Sequence, residues 1–357
     1  MPKISIIVPC YNVEKYLPKC LDHLTGQTLR DIEIIMVDDG SPDGSGAICD
    51  RYAAQDPRVK VIHKPNGGVS AARNDGLAAA TGEYVFFCDG DDWMPPDACE
   101  LLWAEVEQTG ADVVFGDIWR SWEDRDEYMR LFQQTFRSDD PAFRQELIRT
   151  NFYYTYCPLV PQKDRADGCY GGPWNKIVRR QLLVKAKIGF DPRVKGIYDD
   201  VIFSAYVLAE AKRVAYIGKP VYNYRQVPTS MTRVYKKNIL QINEQIFASW
   251  EEFLQAYDPQ GELRQSYAAN VIRRLDHAVR VYFMTPANPT PEGERKRALS
   301  RLMKTEPYRS AARDLDLKML TKRHRVLSHM TRLGWGGGVW LAYNYNEWRK
   351  QCRKNRS

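Results

Sequence analysis

The chain has 357 residues, 44% of them hydrophobic and 27% charged, with a formal net charge of +7. This composition excludes a disordered, collagen-like or disulfide-scaffold protein, and the length suits roughly two domains. The charge is unevenly divided: residues 1–225 hold 28 Lys and Arg against 33 Asp and Glu, and residues 226–357 hold 24 against 12.

The eight cysteines (Cys10, Cys20, Cys49, Cys88, Cys99, Cys157, Cys169 and Cys352) form no C-x-x-C pair and have no histidine cluster beside them. They read as reduced, buried thiols. The first apolar run, Ile4–Val8, is too short for a signal peptide and stops at Pro9. No window reaches the ~18 apolar residues of a spanning helix. The expected location is cytoplasmic, or peripheral on the inner face of the cell membrane.

In chain order, Ile4–Val8 is expected as a buried strand, and Glu14 to about Leu24 as a helix with Leu17, Leu21 and Leu24 on one face. Glu33–Val37 is the second strand, ending in Asp38-Asp39-Gly40-Ser41. A helix over 45–54 leads to a third strand, Val59–Ile62, and Asn66-Gly67-Gly68 opens a helix over 69–80. Tyr84–Phe87 is a fourth strand, ending in Asp89-Gly90-Asp91-Asp92. A helix over 96–107 and a strand over 112–115 follow. This alternation predicts an α/β fold with a mainly parallel sheet, whose ligands bind beyond the carboxyl ends of the strands. Residues 118–172 are polar, aromatic and weakly periodic, and read as an arm over the crevice or a surface excursion. Residues 174–225 resume mixed structure, and beyond Val234 the pattern is helical to the end, interrupted near Pro286–Pro291.

Six short motifs carry chemistry. Pro9-Cys10-Tyr11-Asn12 exposes a Tyr ring at a strand end, where it can lie on a planar base or simply fill a turn. Asp39 can accept from a base or ribose, or cap a turn. Gly67 and Gly68 let backbone approach a ligand and open a helix N-terminus, with Arg73 one turn inside. Asp89, Asp91 and Asp92 repel one another, and a hard divalent cation with oxygen ligands would relieve that repulsion. Asp200 can cap a helix or act as a general base. Arg225 offers a fork for a diphosphate, with the Ser230 hydroxyl nearby.

Taken together and in this order, S-I-I-V-P-C-Y-N (5–12), V-D-D-G-S (37–41), N-G-G-V-S-A-A-R-N (66–74), F-C-D-G-D-D (87–92), D-D-V-I-F (199–203) and Y-R-x-x-x-x-S-M-T (224–232) closely resemble the family 2 glycosyltransferases of GT-A fold. The resemblance covers about residues 3–232. It implies a GT-A domain over 1–232, a helical, basic region over 233–357, and inverting transfer of a hexose or N-acetylhexosamine from a UDP-sugar to a glycan or lipid-linked acceptor in polysaccharide synthesis. Residue by residue, it implies that Pro9, Tyr11 and Asp39 hold the base and that Asn66 and Arg73 line the ribose–phosphate path. It places Asp89 on the ribose or metal shell, Asp91 on a Mn²⁺ or Mg²⁺ ion, and Asp92 on the donor sugar. Arg225 and Ser230 would hold the diphosphate. The family's usual Glu-Asp pair is here Asp199-Asp200, with Asp200 as the base and Asp199 towards the sugars. Trp174 falls on the acceptor side, where it can stack on a sugar or sit buried in the sheet. Two alternatives keep the fold: a catalytically silent nucleotide- or glycan-binding protein, and a nucleotidyltransferase. The latter would favour a basic phosphate loop near the N-terminus, which Pro9–Asn12 lacks.

Beyond the resemblance, Ile239, Ile242, Ile246 and Phe253 form a stripe suited to packing on the main domain or on a second copy as a homodimer. Residues 318–357 hold ten Lys and Arg against one Glu, with Trp335, Trp340, Tyr343, Tyr345 and Trp348. Basic charge beside amphipathic rings suits an anionic membrane surface, or a solvated tail with a few packed aromatics. No nucleic-acid module surrounds the charge.

Overall fold

The computed structural model describes residues 1–152, 159, 171–194, 198–226 and 235–354, the last nine as backbone alone. The chain forms two compact units, Met1–Pro228 and Thr229–Ser357.

The first unit is built on one mixed sheet. Its strands are Ile4–Cys10 (β1), Ile32–Asp38 (β2), Val59–His63 (β3), Tyr84–Phe87 (β4), Val113–Ser121 (β5), Asp126–Met129 (β6), Phe136–Ser138 (β7), Lys176–Arg179 (β8) and Val214–Arg225 (β9). The order is β3-β2-β1-β4-β8-β5-β9-β7, with β6 added on β5. β3, β2, β1 and β4 are parallel; β8 runs antiparallel between β4 and β5, and β5 pairs β9 in parallel. Ile4, Ile6, Ile7 and Val8 of β1 and all of β2 are buried, so both sheet faces are covered. That is why these strands read as unbroken apolar runs.

Helices Leu17–Thr25 (α1), Ser45–Gln55 (α2), Val69–Ala79 (α3), Ala98–Thr109 (α4), Pro141–Phe152 (α5), Arg180–Ala186 (α6) and Asp199–Glu210 (α7) complete the unit. α1 buries Leu17, Cys20, Leu21 and Leu24, the i, i+3, i+4, i+7 spacing of one helix face. Each fully buried Leu contributes about 1.5–3 kcal/mol of transfer free energy. Cys10, Cys20, Cys49, Cys88 and Cys99 are buried free thiols, and Cys157 and Cys169 lie outside the described residues.

The expected arm over 118–172 differs in its described part. Residues 118–152 extend β5, add β6 and β7, and form α5. Phe132, Phe136, Phe143 and Tyr216 pack edge-on or tilted against one another there. The aromatic content that broke the periodicity is thus a satellite core.

The second unit contains the helices Ile239–Tyr257 (α8), Arg264–Ala278 (α9), Glu292–Leu302 (α10), Tyr308–Asp314 (α11), Lys322–Leu333 (α12) and Gly336–Lys354 (α13). The stripe Ile239, Ile242, Ile246 and Phe253 is buried. Among the described residues, no helix is long and apolar enough to cross a membrane.

Candidate active site

Parallel pairing brings the carboxyl ends of β1, β2 and β4 side by side, so Pro9–Asn12, Asp38–Ser41 and Asp89–Asp92 open onto one edge of the sheet. The N-termini of α3 and α7 and the end of β9 converge on the same edge through bonds from Arg73, Ser70 and Arg225.

On the β1–β2 side, Tyr11 is 51% exposed, beside a half-buried Pro9 and an exposed Asn66. Asn12 has φ of 55°, a left-handed conformation that Asn tolerates better than most residues. Asp39 is buried; its two oxygens accept from the backbone N–H groups of Gly67 (2.8 Å) and Gly68 (2.7 Å), with Lys64 at 3.7 Å. Asp39 therefore moulds the glycine loop in front of α3. Gly40 has φ of +69°, and a Cβ there would lie 2.9 Å from the Asn66 nitrogen, so V-D-D-G-S needs its glycine for that loop to approach.

The acidic run splits into three different environments. Asp89 Oδ1 accepts from Arg73 Nη2 at 2.8 Å. Burial, and then Asp89, push the half-buried Asp91 carboxyl up to about 6. Asp92 is buried and accepts from the Tyr222 hydroxyl (2.8 Å) and the Arg225 backbone N–H (2.7 Å). Tyr222 Oη in turn accepts from the Asp89 N–H at 3.0 Å. Asp92, expected to face the donor sugar, is used instead inside the fold to dock the end of β9. Burial, followed by Asp91 and Asp89, holds its carboxyl well above the usual range.

Arg73 is also buried and joins the parts of the site. Its Nη2 reaches Asp89 and its Nη1 reaches Asp199 at 3.3 Å, with its Cζ 5.1 Å from the Phe190 ring centroid. Asp199 is buried as well, and accepts from the Ser70 hydroxyl at 2.7 Å. Neither residue lies open to a ligand: Asp199 supports Arg73, and Arg73 ties the acidic run to α7. Asp200, the next residue, is half-buried, and its Oδ1 accepts from the Val201 N–H at 2.8 Å. Burial, then the charge of Asp199, push its carboxyl up to about 7, against the opposing pull of Arg73. A half-buried carboxylate with that proton affinity is suited to general-base work near neutral pH.

Arg225 Nε donates to the Asp91 carbonyl at 2.6 Å. Its guanidinium carbon lies 4.7 Å from the centroids of both Tyr16 and Trp93. Lys19 Nζ sits 3.4 Å from the Trp93 centroid, and Lys15 lies over Tyr16. Two rings thus alternate with three cations at the metal-type carboxylates, a geometry favourable to each cation by about 0.5–1 kcal/mol at exposed sites. Lys19, Tyr16 and Trp93 carry no motif signal, because the ladder forms only when α1, the acidic run and β9 meet. Ser230 lies outside the described residues. Trp174, expected on the acceptor side, is only 7% exposed and stacks on Tyr222 and Tyr224 with centroids 5.0 and 5.3 Å apart.

Among the described residues, no group of three or more His, Cys, Asp or Glu converges in metal-binding geometry. Asp89 and Asp91 offer carboxylate oxygen donors, and the charge of Asp89 raises the cost of ionising Asp91. That set fits Mg²⁺ or Mn²⁺, which commonly take one or two carboxylates and complete the shell with substrate phosphates and water.

The family model for glycosyl transferase family 2 matches residues 5–169. The chain is 36% identical over 234 residues to the uncharacterized glycosyltransferase EpsJ of Bacillus subtilis (strain 168), covering 66% of this chain and 64% of EpsJ. To EpsH of the same organism, likewise named as a glycosyltransferase, it is 34% identical over 267 residues, 74% of this chain and 72% of EpsH. Among solved structures, S. aureus TarS 1-349 in complex with UDP-GlcNAc superposes with a TM-score of 0.68 at 22% identity, covering 94% of this chain and 89% of that one. The fold is therefore the GT-A fold shared with TarS, and on the strength of its match to EpsH the chain belongs to glycosyl transferase family 2.

Proposed function

We propose that this protein is an inverting glycosyltransferase that moves a sugar from a UDP-sugar to a hydroxyl of a glycan or lipid-linked glycan in polysaccharide synthesis. One observation carries the reading: the Asp89–Arg73–Asp199 bridge holds a metal-type carboxylate pair and a half-buried carboxylate with raised proton affinity in one site. The TarS complex holds UDP-GlcNAc, which supports a UDP-sugar as donor here.

In the proposed reaction, Tyr11 stacks on the base, Pro9, Asn66 and Asp39 shape its loop, and Arg225 with Ser230 meets the diphosphate. Asp89 and Asp91 would hold the divalent cation, which neutralises charge on the leaving diphosphate. Asp200 accepts the proton of the acceptor hydroxyl as its oxygen bonds to the anomeric carbon. The bond from that carbon to the diphosphate oxygen breaks on the opposite face, releasing UDP and inverting the configuration. A panel of nucleotide sugars, scored for UDP release with Mn²⁺, Mg²⁺ or chelator, tests this reading. Release from one UDP-sugar, falling to background in chelator, is the expected result. Full release in chelator overturns the role of Asp91, and binding without any turnover favours the silent-binder alternative.

The second unit adds a surface to this reading. Lys322, Val326, His329 and Leu333 lie along one exposed side of α12, and Leu341 and Tyr345 share a side of α13. Leu333, Trp335 and Leu341 are 68%, 50% and 65% exposed, whereas Trp340 and Tyr343 pack inward. Exposed apolar side chains among basic residues suit an anionic lipid surface. The 357-residue chain should float with vesicles containing phosphatidylglycerol and not with phosphatidylcholine alone, and a Leu333→Glu, Trp335→Glu variant should lose that recovery. Equal recovery of parent and variant defeats the membrane proposal, and so does concentration-dependent dimerisation abolished by the same variant, which would assign the stripe to a second copy.

A further inference from the structure

Lys176, the first residue of β8, is 1% exposed. Its Nζ donates to the Gly172 carbonyl and to Asn175 Oδ1 (2.8 Å), with the Phe115 ring centroid 5.4 Å away. Among the described residues, no carboxylate lies within ion-pair distance of it. A buried ammonium bonded only to neutral acceptors is costly, and such a lysine is retained at a site only when something else there compensates.

Two features connect it to Asp200. The first is mechanical. Gly171 presses on the first turn of α7 so closely that a Cβ would fall 2.6 Å from Val201 Cγ2. Its carbonyl also accepts from the Ser204 hydroxyl at 2.8 Å. Lys176 grips the adjacent Gly172, so its ammonium holds this strip against the turn that carries Asp199 and Asp200. The second is electrostatic. Burial lowers the Lys176 ammonium to about 7, and the Asp200 charge opposes that loss of its proton. Asp200 is also acted on by Asp199 in its own turn, by Arg73 from α3 and by Asp89 from the end of β4. Of these, only Arg73 is positive, and it is already shared between Asp89 and Asp199.

We propose that Lys176 is a positioning residue for sugar transfer, which clamps the 171–175 strip on α7 and supplies the positive charge that keeps Asp200 ionised. The proposal rests on Asp200 being the base.

The test is the pH profile of kcat/KM for UDP-sugar hydrolysis between about pH 5.5 and 9.5, on the 357-residue chain, whose UDP affinity confirms folding. In Lys176→Met the acid limb should move up by about one pH unit, as expected on losing a nearby opposite charge. Activity should then fall most at low pH and recover as pH rises. Lys176→Arg keeps a charge that does not titrate, so its acid limb should stay near the parent's while any alkaline limb moves out of range. A purely structural lysine would lower the rate equally at every pH. A Met profile scaled down but unshifted, or an Arg profile whose acid limb also moves up by about one pH unit, overturns the proposal. If Lys176→Met does not fold, Lys176→Arg alone decides. A parent that releases no UDP instead overturns the sugar-transfer reading itself.

Discussion

Asp200→Asn is expected to abolish measurable transfer while UDP affinity stays unchanged. The carboxylate is half-buried and has a proton affinity near neutrality, at about 7. Removing a positioned general base lowers kcat by about 10²–10⁴-fold. Asn retains an oxygen to accept from the Val201 N–H, so the turn at the head of α7 keeps its bond. Stability should respond in the opposite sense. The folded-state pKa of Asp200 lies above its unfolded value, so its ionised form costs stability that appears as pH rises from about 4 through about 7. The Asn variant escapes that cost. Its melting midpoint at pH 8 should equal or exceed the parent's, with the advantage shrinking at low pH. Rate, isothermal UDP titration and melting curves at the two pH values check the three statements. Substantial retained turnover removes Asp200 from its role, and lost UDP affinity would mean that the substitution damages the donor site.

The contrast between what was legible in the sequence and what was not follows from range. β1, β2 and β4 are parallel strands covered on both faces, so their apolar runs and the motifs at their ends could be read locally. α1 showed its face because four buried residues recur at helical spacing. β8, by contrast, enters antiparallel between β4 and β5, an insertion that no local pattern announces. Asp89, Asp91 and Asp92 read as one acidic cluster, yet Asp92 belongs to Tyr222 and Arg225, about 130 residues away. Trp174 posed the same problem, since its stacking partners Tyr222 and Tyr224 lie on a distant strand. Arg73 stood out as a cation one turn into a helix, a position that suggests phosphate. Its carboxylate partners, Asp89 and Asp199, sit on two other elements. Lys176 follows Trp174 and Asn175 in a segment that the resemblance places near the acceptor side, but its own significance arises from its burial and from the charge of Asp200. Residue type and spacing indicate that chemistry gathers at the strand ends. Which carboxylate faces solvent and which is locked inside is decided by contacts of long sequence separation.

Arg73→Met should be the most damaging single substitution outside the base. The guanidinium is buried between Asp89 and Asp199. Burial alone would lower its pKa, but those two carboxylates more than offset this and hold it above its usual range. Breaking a buried ion pair by removing one partner typically costs about 3–5 kcal/mol, because the remaining charge stays uncompensated. Set against about 5–15 kcal/mol of total stability for a protein, that is a large fraction. The loss should depend on pH. Arg73 opposes the rise of both Asp91 and Asp200, so without it both carboxyls are pushed further up. Raised folded-state values penalise the ionised forms, and the penalty grows with pH until each group has titrated. The variant's deficit relative to the parent should therefore be greater at pH 8 than at pH 5, and any residual activity should have its acid limb displaced upward. Arg73→Lys keeps one charge but not the two-armed reach to carboxylates on separate elements. It should recover stability in part and activity poorly. Chemical denaturation at the two pH values, with donor hydrolysis on the folded fraction, measures all three. A Met variant as stable as the parent at pH 8 and active within tenfold would show that the acidic run and α7 are held together without this bridge.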